Sequence, residues 1–174
     1  MYTLITGGQA CGKSTYAQIL AEKEKPNRVY IATAQIFDEE MRIKVDNHIK
    51  ERGENFFTVE EPFNPIDAFK KALTYNPNVI LMDCITMWTS NLLLKHEKDD
   101  DYIIFEKVDK FIDFLKKNDI PKTIFVTNEV GWGIIPENTL ARRYVRILGT
   151  VNKKFAKLCD NVFLMVSGIE VKIK

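Results

Sequence analysis

A short apolar run, Tyr2 to Thr6, leads straight into Gly7-Gly8-Gln9-Ala10-Cys11-Gly12-Lys13-Ser14, and this octet constrains the fold more than any other feature of the chain. It fits the phosphate-loop pattern G-x-x-x-x-G-K-S/T, which works only between a strand and a helix. Both neighbours are present. β-Favouring residues precede the octet, and Ser14 to Lys23 reads as a helix with Tyr16, Ala17, Ile19 and Leu20 available for packing. Glycines at such a site let the backbone wrap around a polyphosphate, so that successive N–H groups and the positive end of the helix dipole face the anion. Lys13 then reaches the β- and γ-phosphates, and the Ser14 hydroxyl binds Mg²⁺. The plainer alternative is a glycine-rich turn closing a strand; the order of strand, loop and helix argues against it.

The rest of the chain continues the alternation. Short apolar runs at Tyr2–Thr6, Arg28–Thr33, Phe56–Val59, Val79–Met82, Thr123–Thr127 and Asn161–Ser167 are separated by helical patterns that begin at Lys13, Asp38, Pro65, Thr86, Asp101 and Asn138. Such alternation predicts an α/β domain with a largely parallel sheet. A last run, Glu170–Ile173, follows the turn pair Ser167-Gly168, so the end of the chain is expected to fold back as an antiparallel edge strand. Asn64-Pro65 and Glu137-Asn138 have the chemistry of helix starts. The polar run from Lys95 to Asp101 reads as a surface loop whose aspartates cap the next helix.

With 174 residues, 45% of them hydrophobic, the chain fits one domain spanning 1–174 whose core needs no disulfide or structural metal. A formal net charge of +1 excludes a global field that recruits nucleic acid or acidic membrane. Three dispersed cysteines, Cys11, Cys84 and Cys159, with no C-x-x-C pair and only two histidines, argue against a disulfide framework and a zinc site and fit a cytoplasmic location. No run approaches the length of a membrane span and the N-terminus enters a strand at once, so neither membrane insertion nor export is expected.

Beyond the loop, Val79-Ile80-Leu81-Met82-Asp83 is a buried-strand pattern ending in a carboxylate, at the sheet edge where open α/β folds bind ligands. Asp83 there can hold Mg²⁺ through water or receive a substrate proton; capping the following helix is the alternative. Thr127-Asn128-Glu129-Val130-Gly131-Trp132-Gly133 stands where switch GTPases carry N-K-x-D, which argues against a Ras-like switch. Glu129 and Trp132 among those glycines suggest a loop shaped for a ligand or a neighbouring subunit, with a rigid turn packing Trp132 on the core as the competing reading. Met41, Val45, His48 and Arg52 recur at spacings of four, three and four, so they share one helical face. An imidazole and a guanidinium one turn apart can work together on phosphate, the neutral His48 attacking and Arg52 neutralising oxyanion charge. A surface or packing histidine is the alternative.

Taken together, these motifs resemble the bifunctional adenosylcobinamide kinase and adenosylcobinamide-phosphate guanylyltransferase family of cobalamin biosynthesis. The resemblance runs from end to end: the phosphate loop, Tyr30-Ile31-Ala32-Thr33-Ala34, Asp38-Glu39-Glu40-Met41 with His48 and Arg52, and Thr58-Val59-Glu60-Glu61-Pro62. It continues through Asp83-Cys84-Ile85-Thr86, Asn128-Glu129-Val130-Gly131-Trp132-Gly133 with Pro136-Glu137-Asn138, and Val171-Lys172-Ile173-Lys174. The resemblance implies a P-loop NTPase fold of the RecA-like class with three α/β/α layers. It further implies phosphorylation of adenosylcobinamide from ATP or GTP, then transfer of GMP from GTP to adenosylcobinamide phosphate through a guanylylated histidine, which His48 matches. The family's nucleotide contacts correspond to Gly7, Gly8, Gln9, Ala10, Cys11, Gly12, Lys13 and Ser14, to Ala32, Thr33 and Ala34, to Ile49, Lys50, Glu51 and Arg52, and to Glu60 and Asp83. By the same resemblance, Lys13, His48 and Arg52 are expected to take the catalytic roles, Ser14 and Asp83 to serve Mg²⁺, and the chain to assemble as a homotrimer, with Trp132 and the last helix near an interface. Two positions depart from the family pattern: Cys11 where Ser is usual, and Tyr144-Val145-Arg146 where an aromatic followed by Arg-Asp is usual. Two other functions compete, a single-activity P-loop kinase for another small alcohol and a nucleotide-gated binding module.

Overall fold

In the computed structural model, residues 1–35, Ile43 and 55–174 are described. The helix expected from Asp38, and with it His48, Ile49, Lys50, Glu51 and Arg52, lies outside them. Seven strands form one sheet: β1 (Tyr2–Gly7), β2 (Arg28–Ala32), β3 (Phe57–Glu60), β4 (Val79–Asp83), β5 (Lys122–Val126), β6 (Asn161–Val166) and β7 (Ile169–Lys172). The described helices are α1 (Lys13–Glu22), α2 (Pro65–Leu73), α3 (Ile85–Lys95), α4 (Asp101–Lys117) and α5 (Thr139–Leu158). Strand order is β3-β2-β4-β5-β1-β6-β7, parallel except for β7, which runs antiparallel to β6. The expected antiparallel edge is therefore present. Strand ends differ from the sequence expectation by a residue or so, and α3 begins at Ile85 rather than Thr86 because Cys84, not Asp83, caps it.

The sheet sorts its residues by the period of two that a strand imposes. Leu4, Val29, Ile31, Ile80, Met82 and Phe125 face α2, α3, α4 and α5, whereas Ile5, Tyr30, Leu81, Ile124 and Val126 face α1. Two hydrophobic clusters on opposite sheet faces make three α/β/α layers, with α1 the helix on its side among the described residues. Aromatic rings occupy the centre of the larger layer. Phe111 on α4 meets Phe69, Trp88, Phe125 and Phe155 at centroid distances of 5.2 to 6.4 Å, mostly edge to face, an arrangement favoured by ring quadrupoles.

Polar contacts fix the helix ends as the composition suggests. Asp100 accepts from Tyr102 N at the start of α4, and Asn138 accepts from Ala141 N at the start of α5. The Asn64 side chain instead donates to Asp67. Asp101 then ties α4 to α5 by accepting from Arg143 Nε at 2.6 Å and Arg146 Nη2 at 2.9 Å. Burial works to raise this carboxyl, but the hydrogen bonds from Arg146 and Arg143 outweigh it and hold its pKa below the usual range. Arg146, which stands where the resemblance leads to the expectation of a carboxylate, thus has an acidic partner within the chain.

Phe111→Ala should cost about 3–5 kcal/mol of unfolding free energy, because four rings and the sheet close around a side chain that no neighbour can replace. Urea denaturation checks this; a loss below about 1 kcal/mol would mean that the ring cluster is not the centre of the core.

Candidate nucleotide site

β1 ends at Gly7, whose φ of +148° and position leave no room for a side chain: a Cβ there would lie 2.6 Å from Met165 O of β6 and 2.8 Å from Cys11 Sγ. Gly12 caps α1 with φ +95° and no side-chain hydrogen bond, so the first N–H groups of the helix stay open to a ligand. Lys13 is 7% exposed and folds its ammonium back over the loop, 2.5 Å from Gly8 O and 3.7 Å from Cys11 Sγ. A phosphate is a stronger acceptor than a carbonyl, so an anion in the loop competes for that ammonium.

The loop forms one wall of a cleft of about 490 Å³ lined by Gln9, Ala10, Cys11, Gly12, Lys13, Ser14 and Thr15, with Asp83, Cys84, Val126 and Asn128 on the strand-end side. The Asp83 carboxylate emerges from the end of β4, as its strand pattern requires, while the Cys84 thiol accepts from Met87 N at 3.4 Å and caps α3. Burial, with the Asp83 charge added, pushes the Cys84 thiol up to about 12. It is a neutral cap, not a thiolate nucleophile.

Ala32 and Glu60 end β2 and β3 in register with each other, and Ala32 is in register with Asp83. They share the sheet edge with the phosphate loop but do not line its cleft; β2 is three strands from β1, about 14 Å at ordinary strand spacing. Thr33 is fully buried, and its hydroxyl accepts from Cys84 N at 2.8 Å and donates to Cys84 O at 2.7 Å. Its side chain is thus committed to the backbone beyond β4, and Ala34 follows it on the same edge. Trp132 is 69% exposed, which excludes the core-packed reading, and Ile134 and Ile135 beside it are more exposed still.

Glu129, read from the sequence as part of a loop for a ligand or a neighbouring subunit, is instead engaged within the chain, with partners that sequence reasoning did not assign. Glu129 N donates to Gly7 O at 2.9 Å, and Glu129 Oε1 accepts from Thr6 Oγ1 at 3.0 Å and Asn152 Nδ2 at 3.2 Å. Asn152 Oδ1 accepts from Thr127 Oγ1 at 2.7 Å; the Thr127 hydroxyl lies 3.2 Å from that of Thr86, which accepts from Asn128 N at 2.6 Å. Every member is buried or half-buried, so the chain of bonds is rigid and costly to break. One signal for it was available: Asn152 interrupts the apolar stripe Leu148, Val151 and Phe155 on α5, and an amide on such a face needs partners. From the other side, Gly168 N of the β6–β7 turn donates to Cys11 O at 3.0 Å.

A phosphate loop between strand and helix, on a mostly parallel sheet with the acidic end of β4 on the same cleft, defines a P-loop NTPase fold. Solved structures agree at that level. The flagellar accessory protein FlaH of Methanocaldococcus jannaschii superposes with a TM-score of 0.55 at 14% identity, over 99% of this chain and 77% of that one. A type III secretion system ATPase from pathogenic bacteria gives 0.59 at 10% identity, over 98% of this chain and 56% of that one. The sequence is more specific. The family described as cobinamide kinase / cobinamide phosphate guanyltransferase matches residues 3–173, and the chain belongs to it. Its relatives include two proteins named bifunctional adenosylcobalamin biosynthesis protein CobU, from Escherichia coli at 39% identity and Salmonella typhimurium at 40%, each aligned over 100% of both chains. CobP of Pseudomonas aeruginosa is 34% identical over 100% of this chain and 98% of that one.

Glu129→Ala should cost about 2–4 kcal/mol, since Thr6 loses its acceptor and Asn152 one of its two, both residues being 6% exposed. Glu129→Gln keeps a carbonyl oxygen and should cost only about 1 kcal/mol. Denaturant titration of both variants makes the comparison, and equal losses would contradict the bracing role.

Proposed function

We propose that this chain phosphorylates adenosylcobinamide with ATP or GTP and then transfers GMP from GTP to the adenosylcobinamide phosphate so formed. The observation that carries the reading is the cleft in which the phosphate loop, buried Lys13 and Asp83 converge, in a chain that belongs to this family over nearly its whole length. For the first step, the loop N–H groups and Lys13 hold the nucleotide phosphates and neutralise charge as the γ-phosphoryl group moves to the substrate hydroxyl. Asp83 lines the same cleft and would receive the hydroxyl proton directly or through water.

In the second step an imidazole nitrogen of His48 attacks the α-phosphorus of GTP. A nitrogen–phosphorus bond forms, the bond to the β-phosphate oxygen breaks, and pyrophosphate leaves. A phosphate oxygen of adenosylcobinamide phosphate then attacks the same phosphorus and releases the histidine, giving adenosyl-GDP-cobinamide. Splitting one transfer into two displacements lowers each barrier. The four-residue spacing of His48 and Arg52 in the sequence supports this assignment, as does the family resemblance, which extends to Ile49, Lys50 and Glu51 as nucleotide contacts.

Mg²⁺ suits the donors present. The Ser14 hydroxyl and Asp83 carboxylate line one cleft as hard oxygen ligands, with phosphate oxygens and waters to complete the shell. Among the described residues no cluster of three or more His, Cys, Asp or Glu side chains could hold a metal alone, consistent with a cation that arrives with its nucleotide. Bound there, it would neutralise charge on the phosphate oxygens. A homotrimer is part of the same proposal, supported by the exposed Trp132, Ile134 and Ile135 in one loop. No described helix is long and apolar enough to cross a membrane. The three cysteines are free, which supports the proposal of a cytoplasmic setting.

Incubation with GTP labelled at the α-phosphate should yield acid-labile, base-stable labelled protein, with the adduct located on His48 by mass spectrometry. An unlabelled wild type, or label retained in His48→Ala, would refute the histidine route. Lys13→Ala should lower kcat/KM of both steps about 100-fold or more if one phosphate cradle serves both. Loss of the kinase step alone in a two-step assay would instead require a second nucleotide site.

A further inference from the structure

The wall of the cleft opposite the phosphate loop is made by Asp83, Cys84, Val126 and Asn128. A triphosphate offers only acceptors and negative charge, so this wall can meet it directly only with hydrogen-bond donors. Asp83 is anionic, Val126 has no polar atom, and the Cys84 thiol is a neutral cap on α3. The Asn128 carboxamide carries two N–H donors and no charge.

Its backbone is unusually well fixed for a residue just past a strand. Asn128 N donates to Thr86 Oγ1 at 2.6 Å, and Asn128 O accepts from Asn152 Nδ2 at 3.0 Å. Both backbone groups are therefore held by the buried polar chain, while the side chain makes no hydrogen bond among the described residues and is half-buried at the cleft. Such a residue is preorganised to orient a ligand without depending on its own side chain for folding. Its place on the sheet gives the target. β5 lies between β1, which carries the loop, and β4, which carries Asp83, with Val126 in register with Asp83. Loop N–H groups cradle the inner phosphates and Lys13 reaches the outer ones; with Ser14 and Asp83 lining the cleft as the proposed Mg²⁺ ligands, the outer end of the triphosphate would lie toward the ends of β4 and β5.

We infer that Asn128 is a phosphate-positioning residue, its carboxamide N–H donating to the terminal phosphoryl group of the bound nucleoside triphosphate. This rests on the nucleotide-binding reading above and adds a contact to it. The carboxamide orients the γ-phosphoryl group that is transferred in the kinase step and has no partner on a nucleoside diphosphate.

Calorimetric titration with a non-hydrolysable GTP analogue and with GDP, each with Mg²⁺, tests the assignment on the full chain. Asn128→Ala should weaken the triphosphate analogue about tenfold or more, as loss of a hydrogen bond to a charged group does, and change GDP affinity less than about twofold. Asn128→Asp sets a carboxylate beside the phosphate and should weaken the triphosphate further, again sparing GDP. Both variants should melt within about 2 °C of the wild type, because the backbone bonds to Thr86 and Asn152 survive the substitution. Unchanged triphosphate affinity, or parallel loss of triphosphate and diphosphate affinity, overturns the assignment. Wild-type protein that binds neither nucleotide overturns the nucleotide site itself, and this inference with it; the two failures are distinct.

Discussion

The phosphate loop is clamped from both sides of β1, and most of the architecture around it exists to hold that clamp. On the β5 side Glu129 donates from its backbone to Gly7 O; on the β6 side the turn at Gly168 donates to Cys11 O. Between these two bonds the chain packs so tightly that Gly7 has no space for a Cβ and Gly12 passes close to Gly168. A loop held this way binds phosphate without first being ordered. The entropy that a flexible loop would lose on binding is lost at folding instead, where it is offset by the core.

The clamp also explains why so many polar side chains are buried near one strand end. Thr6, Glu129, Asn152, Thr127 and Thr86 satisfy one another, and together they fix the residues that follow β5 relative to β1 and α5. An apolar core could fill the same space but could not hold a backbone carbonyl at a set position, because dispersion is not directional. A second polar set acts on the β4 side, where Thr33 binds the Cys84 backbone and Asn91 donates to Thr33 O at 2.8 Å and Pro62 O at 3.0 Å. The result is an edge on which the ends of β2, β3 and β4 stand at fixed heights beside the loop. On the proposed two-step chemistry that edge is where a nucleotide must be held for attack at two different phosphorus atoms.

The fold was legible in the sequence wherever a local pattern decided it. Strand β1, the loop and α1 follow from a motif with its context, and β4 from four apolar residues before Asp83, because period and capping are properties of neighbours in the chain. The bracing set was not legible in that way. Thr6 and Glu129 lie 123 residues apart, and nothing local distinguishes a glutamate that accepts from Thr6 from one that faces a ligand. The same limit applies to Cys84, a weak acceptor that takes the capping place for which Asp83 was the expected alternative, which leaves the carboxylate to the cleft. At Trp132 local pattern allowed two environments, and the exposed one holds.

Likeness to solved structures at 10 to 14% identity extends to the fold and stops there. That boundary has a physical basis. Binding a polyphosphate demands a particular backbone path, so loops with that path resemble one another whatever the sequence. Choosing between hydrolysis and transfer demands side chains at the cleft's far wall and a means of keeping water from the transferred group. In this chain the far wall comes from the ends of β4 and β5, and the second of these is held by hydrogen bonds to α5 and α3 rather than by the loop itself. Cradle and far wall are thus supported by different elements joined through one buried polar chain. The exposed segments after β5 can then change while the cradle stays where it is.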